Sequence, residues 1–129
     1  MILDTSAVLG ILLQEPDAAR LEQAMLSASV LRISAAGYVE ASLYIDRNGD
    51  AYQRAALDLF LREFEIRIEP ITPEQAILAR QALNLYGKGR HKAALNFGDS
   101  FAYALAKTYR EPLLFKGNDF SRTDLETAL

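Results

Sequence analysis

Ile2-Leu3-Asp4-Thr5-Ser6 is the stretch that decides the fold, because two aliphatic residues give way at once to polar ones. The pattern predicts a short buried strand that ends at Asp4, followed by a helix over the apolar run Ala7 to Leu13. Strand-forming residues recur three more times along the chain, at Leu31 to Ile33, Ile66 to Ile71 and Pro112 to Phe115.

Helical patterns fill the intervals between these strands. Apolar residues at helical spacing and capping residues predict helices from Pro16 to Ala28, from Ser34 to Asn48, from Ala51 to Phe64, from Glu74 to Leu85 behind Thr72-Pro73, and from Asn96 or Gly98 to Tyr109. Strands that alternate with helices are typical of an α/β domain with a mostly parallel sheet. At 129 residues, we expect a single domain over residues 1–129.

Composition excludes several kinds of site. The chain is 50% hydrophobic and 24% charged, which is typical of a globular domain. It has no cysteine and one histidine, so thiolate chemistry and histidine-rich zinc sites are excluded and any metal must bind mainly to oxygen.

The acidic start differs from a signal peptide, and the run Ala7 to Leu13 is too short to span a bilayer. We therefore expect a cytoplasmic protein that does not enter the membrane.

Charge is unevenly distributed along the chain. The net charge is −3, yet residues 75–98 contain no acid and four cations, so this segment carries +4 and the rest of the chain −7. Tyr86 to Lys92, here called the basic loop, holds two glycines among basic residues and is predicted to be exposed and flexible. One face of the protein could therefore meet phosphate although the whole chain is acidic.

Four acids are candidates for a site at the carboxyl edge of the sheet, where parallel sheets bind ligands. Asp4 ends the first predicted strand and Asp119 follows the last, so both should reach the carboxyl edge of the sheet. Glu40 and Asp99 lie in helices, close to the apolar stripe. Four carboxylates together repel one another unless a cation holds them ionised, and Mg²⁺ or Mn²⁺ suits an all-oxygen site. Phosphodiester hydrolysis is the chemistry that such a site supports.

Four segments together resemble the PIN-domain nucleases, and within them most closely the VapC-type toxins of bacterial toxin–antitoxin pairs. These segments are Asp4-Thr5-Ser6, the isolated Glu40, the run Leu95-Asn96-Phe97-Gly98-Asp99-Ser100-Phe101-Ala102-Tyr103-Ala104 and the closing Leu114-Phe115-Lys116-Gly117-Asn118-Asp119-Phe120. The resemblance covers essentially the whole chain. It implies a three-layer α/β/α sandwich and makes Asp4, Glu40, Asp99 and Asp119 the catalytic, metal-binding acids. It also makes Ser6 a support for the first acid, while Asn118 occupies a position where related chains carry another acid.

The same resemblance implies a function and partners. The expected activity is a metal-dependent endoribonuclease that leaves a 5′-phosphate. The expected partners are an RNA substrate, a VapB-type antitoxin and a second copy of the chain, with DNA reached only through the antitoxin. The basic loop precedes the Asp99 helix, which favours a role for it in guiding RNA.

Each candidate residue also has a structural interpretation. Asp4 could be a turn residue, and Glu40 could lie on a solvated helix face. Asp99 could stabilise its helix as a negative charge in the first turn. Asp119 or Asp124 could cap a helix in the tail. The aromatic residues at helical spacing, Phe97, Phe101 and Tyr109, are predicted to be core rather than base-stacking platforms. His91 is taken as a solvated loop residue outside the site.

Two competing functions remain open at this stage. A phosphatase of the haloacid dehalogenase kind also uses an Asp after its first strand with Mg²⁺, but it needs an acid two residues later, where this chain has Ser6. The other is a non-catalytic PIN-like module that binds RNA or a protein.

Overall fold

One sheet of four short strands organises the molecule. The computed structural model describes residues 1–129. The strands are β1 (Ile2–Leu3), β2 (Arg32–Ser34), β3 (Arg67–Glu69) and β4 (Leu113–Leu114). Their order across the sheet is β3-β2-β1-β4, and every neighbouring pair is parallel. The prediction of a mostly parallel sheet is confirmed, and β1 stands between β2 and β4.

Six helices connect the strands, as the sequence pattern predicts. They are α1 (Thr5–Leu12), α2 (Ala18–Met25), α3 (Ala35–Asn48), α4 (Ala51–Glu63), α5 (Pro73–Tyr86) and α6 (Phe97–Tyr109), with a 3₁₀ turn at Phe120–Arg122. None of them is long and apolar enough to cross a membrane. The first helix begins before Ala7 because Asp4 caps it, and the second begins two residues after Pro16, which lies in the preceding turn.

Strand residues alternate between two hydrophobic cores. Leu3, Ile33 and Leu114 pack into one core with α1, α2, α3 and α4, while Ile2 and Leu113 pack into a second core with α5 and α6. Successive strand residues point to opposite faces, so both faces of the sheet must be covered. The expected three-layer α/β/α sandwich is confirmed.

Capping residues set where the helices begin. The Ser34 hydroxyl accepts a hydrogen bond from the Ala36 amide at 3.3 Å, as predicted. The Thr72 hydroxyl accepts one from the Gln75 amide at 3.2 Å, and Pro73 occupies the first helical position. Since β2 ends at Ser34, this cap also forces the chain into α3 at the carboxyl edge of the sheet.

An ion-pair network joins β2, β3 and the residue before Pro112 and β4. The Arg32 guanidinium contacts Glu69 at 2.6 Å and Glu111 at 3.1 Å, and it lies 3.9 Å from the centre of the Tyr109 ring. The Tyr109 hydroxyl donates to Glu69 at 3.0 Å. Because each of these charged groups has a partner, we interpret the network as structural.

Candidate active site

Asp4 lies where β1 passes into α1. Its Oδ2 accepts hydrogen bonds from the Ser6 amide at 3.0 Å and the Ser6 hydroxyl at 2.5 Å, so the side chain caps α1. Only 6% of the residue is exposed. Burial of this carboxyl raises its pKa although both hydrogen bonds favour the charged form. The cap interpretation and a ligand role are compatible, because the cap uses one oxygen only.

Ser6 ties Asp4 to the exit of β4. The Lys116 amide donates to the Ser6 hydroxyl at 3.0 Å, and the Asp4 amide donates to the Leu114 carbonyl at 2.9 Å. The hydroxyl therefore accepts a hydrogen bond from the segment after β4 and donates one to the Asp4 carboxylate. These two bonds show Ser6 holding the first acid, and they link the segments that carry Asp4 and Asp119.

Asp99 holds the third position of α6. Its Oδ2 accepts from the Asn96 amide at 2.9 Å, and the Asn96 side chain accepts from the Asp99 amide at 2.9 Å. This reciprocal pair is a capping box, so the structural interpretation of Asp99 is correct as far as it goes. The other oxygen, Oδ1, makes no hydrogen bond to the protein and remains available as a ligand.

Glu40 reaches the same place from α3. Its carboxylate lies directly against Gly98, where an added Cβ would be 3.0 Å from the Glu40 Cδ and closer still to Oε2. A side chain at position 98 would therefore push Glu40 away from the start of α6. The glycine of the Asn-Phe-Gly-Asp run therefore leaves room for Glu40, a role that the sequence pattern does not indicate.

Asp119 lies on the β4 side of the site. The residue is exposed, precedes the 3₁₀ turn, and makes no side-chain capping bond, so its predicted rival role as a cap is wrong. The neighbouring Asn118 carbonyl accepts from the Ser121 hydroxyl at 2.7 Å. Asp124, by contrast, accepts from the Tyr103 hydroxyl at 2.7 Å and pairs with Lys107 at 2.8 Å, which anchors the tail.

The four acids interact electrostatically. The pKa of Asp99 is raised to about 6, first by burial and then by the negative charges of three other acids, Asp4, Asp119 and Glu40. Glu40 also raises the pKa of Asp4. Acids from four separate segments thus share one region at the carboxyl edge of the sheet, between β1 and β4.

The donor chemistry of this region fits a hard divalent cation. No three acidic or histidine side chains are arranged to hold a metal ion as they stand. The available ligands are nevertheless all carboxylate oxygens, and their mutual repulsion is what a cation would relieve. Whether Asp4, Glu40, Asp99 and Asp119 bind a metal stays a prediction.

The predicted burial of Phe97 and the predicted solvation of His91 are wrong. Phe97 is 74% exposed rather than core, because it occupies the first turn of α6 with its ring edge-on to Phe101. The basic loop is exposed but held by hydrogen bonds, from the amides of Arg90 and His91 to the Gly87 carbonyl and from Lys88 to Leu95. His91 is partly buried and shapes the loop, since its Nδ1 accepts from the Ala93 amide at 3.0 Å.

Comparison with known proteins identifies the family. Residues 1–126 match the PIN domain, and the chain belongs to the PIN-domain family. Within that family it is of the VapC type. It is 48% identical to Ribonuclease VapC28 of Mycobacterium tuberculosis, over 100% of this chain and 98% of the relative. It is 44% identical to Ribonuclease VapC of Mycolicibacterium smegmatis, over 97% of each chain.

Solved structures share the fold at much lower identity. Mycobacterium tuberculosis VapC20, a sarcin-ricin loop cleaving toxin, superposes with a TM-score of 0.77 at 16% identity, covering 96% of this chain and 95% of that one. A toxin–antitoxin complex from Klebsiella pneumoniae gives a TM-score of 0.72 at 18% identity, covering 95% and 92%. These likenesses establish the PIN-like arrangement of sheet and helices.

Proposed function

We propose that this protein is a metal-dependent endoribonuclease that hydrolyses RNA phosphodiester bonds. The observation that carries the proposal is the convergence of four carboxylates, from β1, α3, α6 and the segment after β4, in a chain whose curated relatives are named ribonucleases. Two of the four, Asp4 and Asp99, lose exposure to water in the fold and have raised pKa values, which is unfavourable in the absence of a compensating cation.

The proposed ligands of Mg²⁺ or Mn²⁺ are Asp4, Glu40, Asp99 and Asp119. When bound, the ion would supply an activated water for attack on phosphorus and charge neutralisation at the leaving oxygen. Ser6 fixes one oxygen of Asp4, and the capping box fixes one oxygen of Asp99, so each acid presents its other oxygen in a set direction. The amino end of α6 adds a positive dipole that favours a phosphate nearby. The expected product carries a 5′-phosphate.

Cleavage of total RNA tests this proposal. Purified protein is incubated with RNA and Mg²⁺ or Mn²⁺, with EDTA as one control and Asp99→Asn as another. Asp58→Asn is the matched variant, because Asp58 is an exposed acid of α4 outside the site. We expect discrete cleavage by the wild type and by Asp58→Asn only. RNA binding without cleavage under either metal would instead indicate a non-catalytic module.

A homodimer is part of the proposal. Exposed apolar side chains of α3 and α6, with Ile71 beside them, form one patch next to Glu40; they include Val39, Leu43 and Phe97. A self-complementary apolar patch favours a second copy of the same chain. We expect Leu43→Glu to give monomers in sedimentation experiments.

A VapB-type antitoxin is the other proposed partner. We expect the protein to reach DNA only through this antitoxin. An apolar cleft between α1, α2 and α4, which contains Leu12, Tyr52 and Leu59, suits an amphipathic helix. Leu59→Glu should abolish antitoxin binding and leave the dimer intact. Leu43→Glu is its matched control, since the two leucines are 48% and 47% exposed. RNA as substrate would place this activity in the cytoplasm.

A further inference from the structure

The basic loop has a defined shape. The amide of Leu95 donates to the Tyr86 carbonyl at 2.9 Å and the amide of Lys88 donates back to Leu95 at 3.0 Å, which closes the loop at its base. Inside it, Ala93 is fully buried, and the His91 ring meets the Tyr86 ring edge-on with centres 5.1 Å apart. These contacts define the path of the backbone, and the cationic side chains of the loop are exposed.

Arg122 joins this loop to the segment that carries Asp119. Its guanidinium donates to the Lys92 carbonyl at 2.9 Å. Beneath this contact, Phe120 is buried in the same core as Ala93 and Leu95. The loop and the 3₁₀ turn therefore form one surface, and four exposed cations lie on it: Lys88, Arg90, Lys92 and Arg122. These four residues are called the basic surface below.

The basic surface borders the four acids. Arg122 is three residues from Asp119, and Asp119 is near enough to Asp99 to influence its ionisation. None of the four cations forms an ion pair, so no neighbouring acid offsets their charge. Unpaired cations beside a cluster of acids make the electrostatic potential change steeply over a short distance. Such a potential suits a polyanion that places one of its phosphates in the acidic site.

We propose that the basic surface binds the phosphate backbone of single-stranded RNA next to the bond that is cut, on the Asp119 side of the site. The inference rests on the proposed nuclease function and adds where the substrate lies. Each cation neutralises a phosphate without reading a base, so the surface sets affinity and register, not sequence preference. Substitutions there should raise KM and leave kcat unchanged, because these contacts are made equally in the ground and transition states.

The first experiment measures binding apart from cleavage. Anisotropy of a short fluorescein-labelled single-stranded RNA is followed in EDTA over a salt series, with wild type, the basic-surface variant Lys88→Gln/Arg90→Gln/Lys92→Gln/Arg122→Gln, and a control variant. The control is Arg47→Gln/Arg62→Gln/Arg67→Gln, which removes exposed cations from α3, α4 and β3. We expect at least a tenfold weaker Kd for the basic-surface variant and at most a twofold change for the control.

The salt dependence gives a second, quantitative readout. Each phosphate contact contributes about 0.7 to the slope of log Kd against log salt for single strands, so the basic-surface variant should have a slope smaller by about 2–3. Arg122→Lys keeps the charge and should bind like wild type, whereas loss of binding there would assign Arg122 a structural role. Melting temperatures establish that the variants fold.

The second experiment measures steady-state cleavage with the same proteins. A raised KM with unchanged kcat in the basic-surface variant supports the inference. Wild-type cleavage together with unchanged Kd and KM in this variant would overturn it and leave the nuclease proposal standing. If wild-type protein neither cleaves nor binds RNA, both proposals fail.

Discussion

Replacing Asp99 with Asn should stabilise the metal-free protein at neutral pH. The wild-type carboxylate is held among three other acids, and Asn removes its charge while its side-chain oxygen can still accept the hydrogen bond from Asn96. A rise in pKa from 3.8 to about 6 corresponds to about 3 kcal/mol of destabilisation when Asp99 is ionised. Because the side chain is partly exposed, solvent screening reduces the expected gain to about 1–2 kcal/mol.

A competing effect has the opposite sign. A negative charge in the first turn of α6 is favourable by about 0.3–1 kcal/mol, and Asn loses this. Repulsion and burial should prevail with a net gain of about 1 kcal/mol, so the melting temperature of Asp99→Asn should exceed that of wild type by about 3–6 °C in EDTA. Asp58→Asn should change the free energy of unfolding by less than about 0.5 kcal/mol, as is usual for surface substitutions.

The pH dependence follows from the direction of the shift. Folded Asp99 keeps its proton to higher pH than the unfolded chain does, so wild-type stability falls as pH rises from about 4 to about 6. Asp99→Asn lacks this loss, and the two stability curves should coincide below about pH 4 and separate above it. Mg²⁺ should then raise the melting temperature of wild type more than that of the variant.

Thermal melts in EDTA across this pH range provide the assay. A variant that is less stable than wild type at neutral pH would refute the reasoning. Asp99 would then act mainly as a helix-capping acid, and the four-acid cluster would carry no electrostatic cost.

Three further predictions concern single side chains. Gly98→Ala should preserve the fold and lower RNA cleavage at least about tenfold, because the new methyl displaces the Glu40 carboxylate; melting and cleavage assays separate the two effects. Ser34→Ala should cost about 1 kcal/mol in urea unfolding, since it removes the cap of α3, and an unchanged midpoint would contradict this. Tyr103→Phe should remove the tyrosine that ionises last in an alkaline absorbance titration, because burial and the Asp124 carboxylate raise the pKa of Tyr103.

Most of the fold could be predicted from the sequence. Short apolar runs, capping residues such as Ser34 and Thr72, and the alternation of strands with helices indicated every main element. Helix starts were less accurate, because a side-chain cap at Asp4 and a turn at Pro16 each moved a boundary by two residues. Such shifts depend on individual hydrogen bonds, which a hydrophobic pattern does not record.

The exposure of aromatic residues could not be predicted in this way. Phe97 has the helical spacing of a core residue, but it lies in the first turn of α6, where the helix extends past the sheet. His91 and Ala93 show the reverse case, since a segment without apolar period proved to be closed and partly buried. Burial depends on which elements happen to cover a residue.

The sequence by itself determined the family and the α/β class and predicted the four acids of the site, because local patterns and short motifs carry this information. Only the tertiary structure decided that Gly98 makes room for Glu40, that Ser6 joins Asp4 to β4, and that Arg122 connects the basic loop to the Asp119 segment. These contacts join residues from 30 to 110 positions apart. Packing of the sheet and helices brings such residues together, and no local preference of the chain encodes the distance between them.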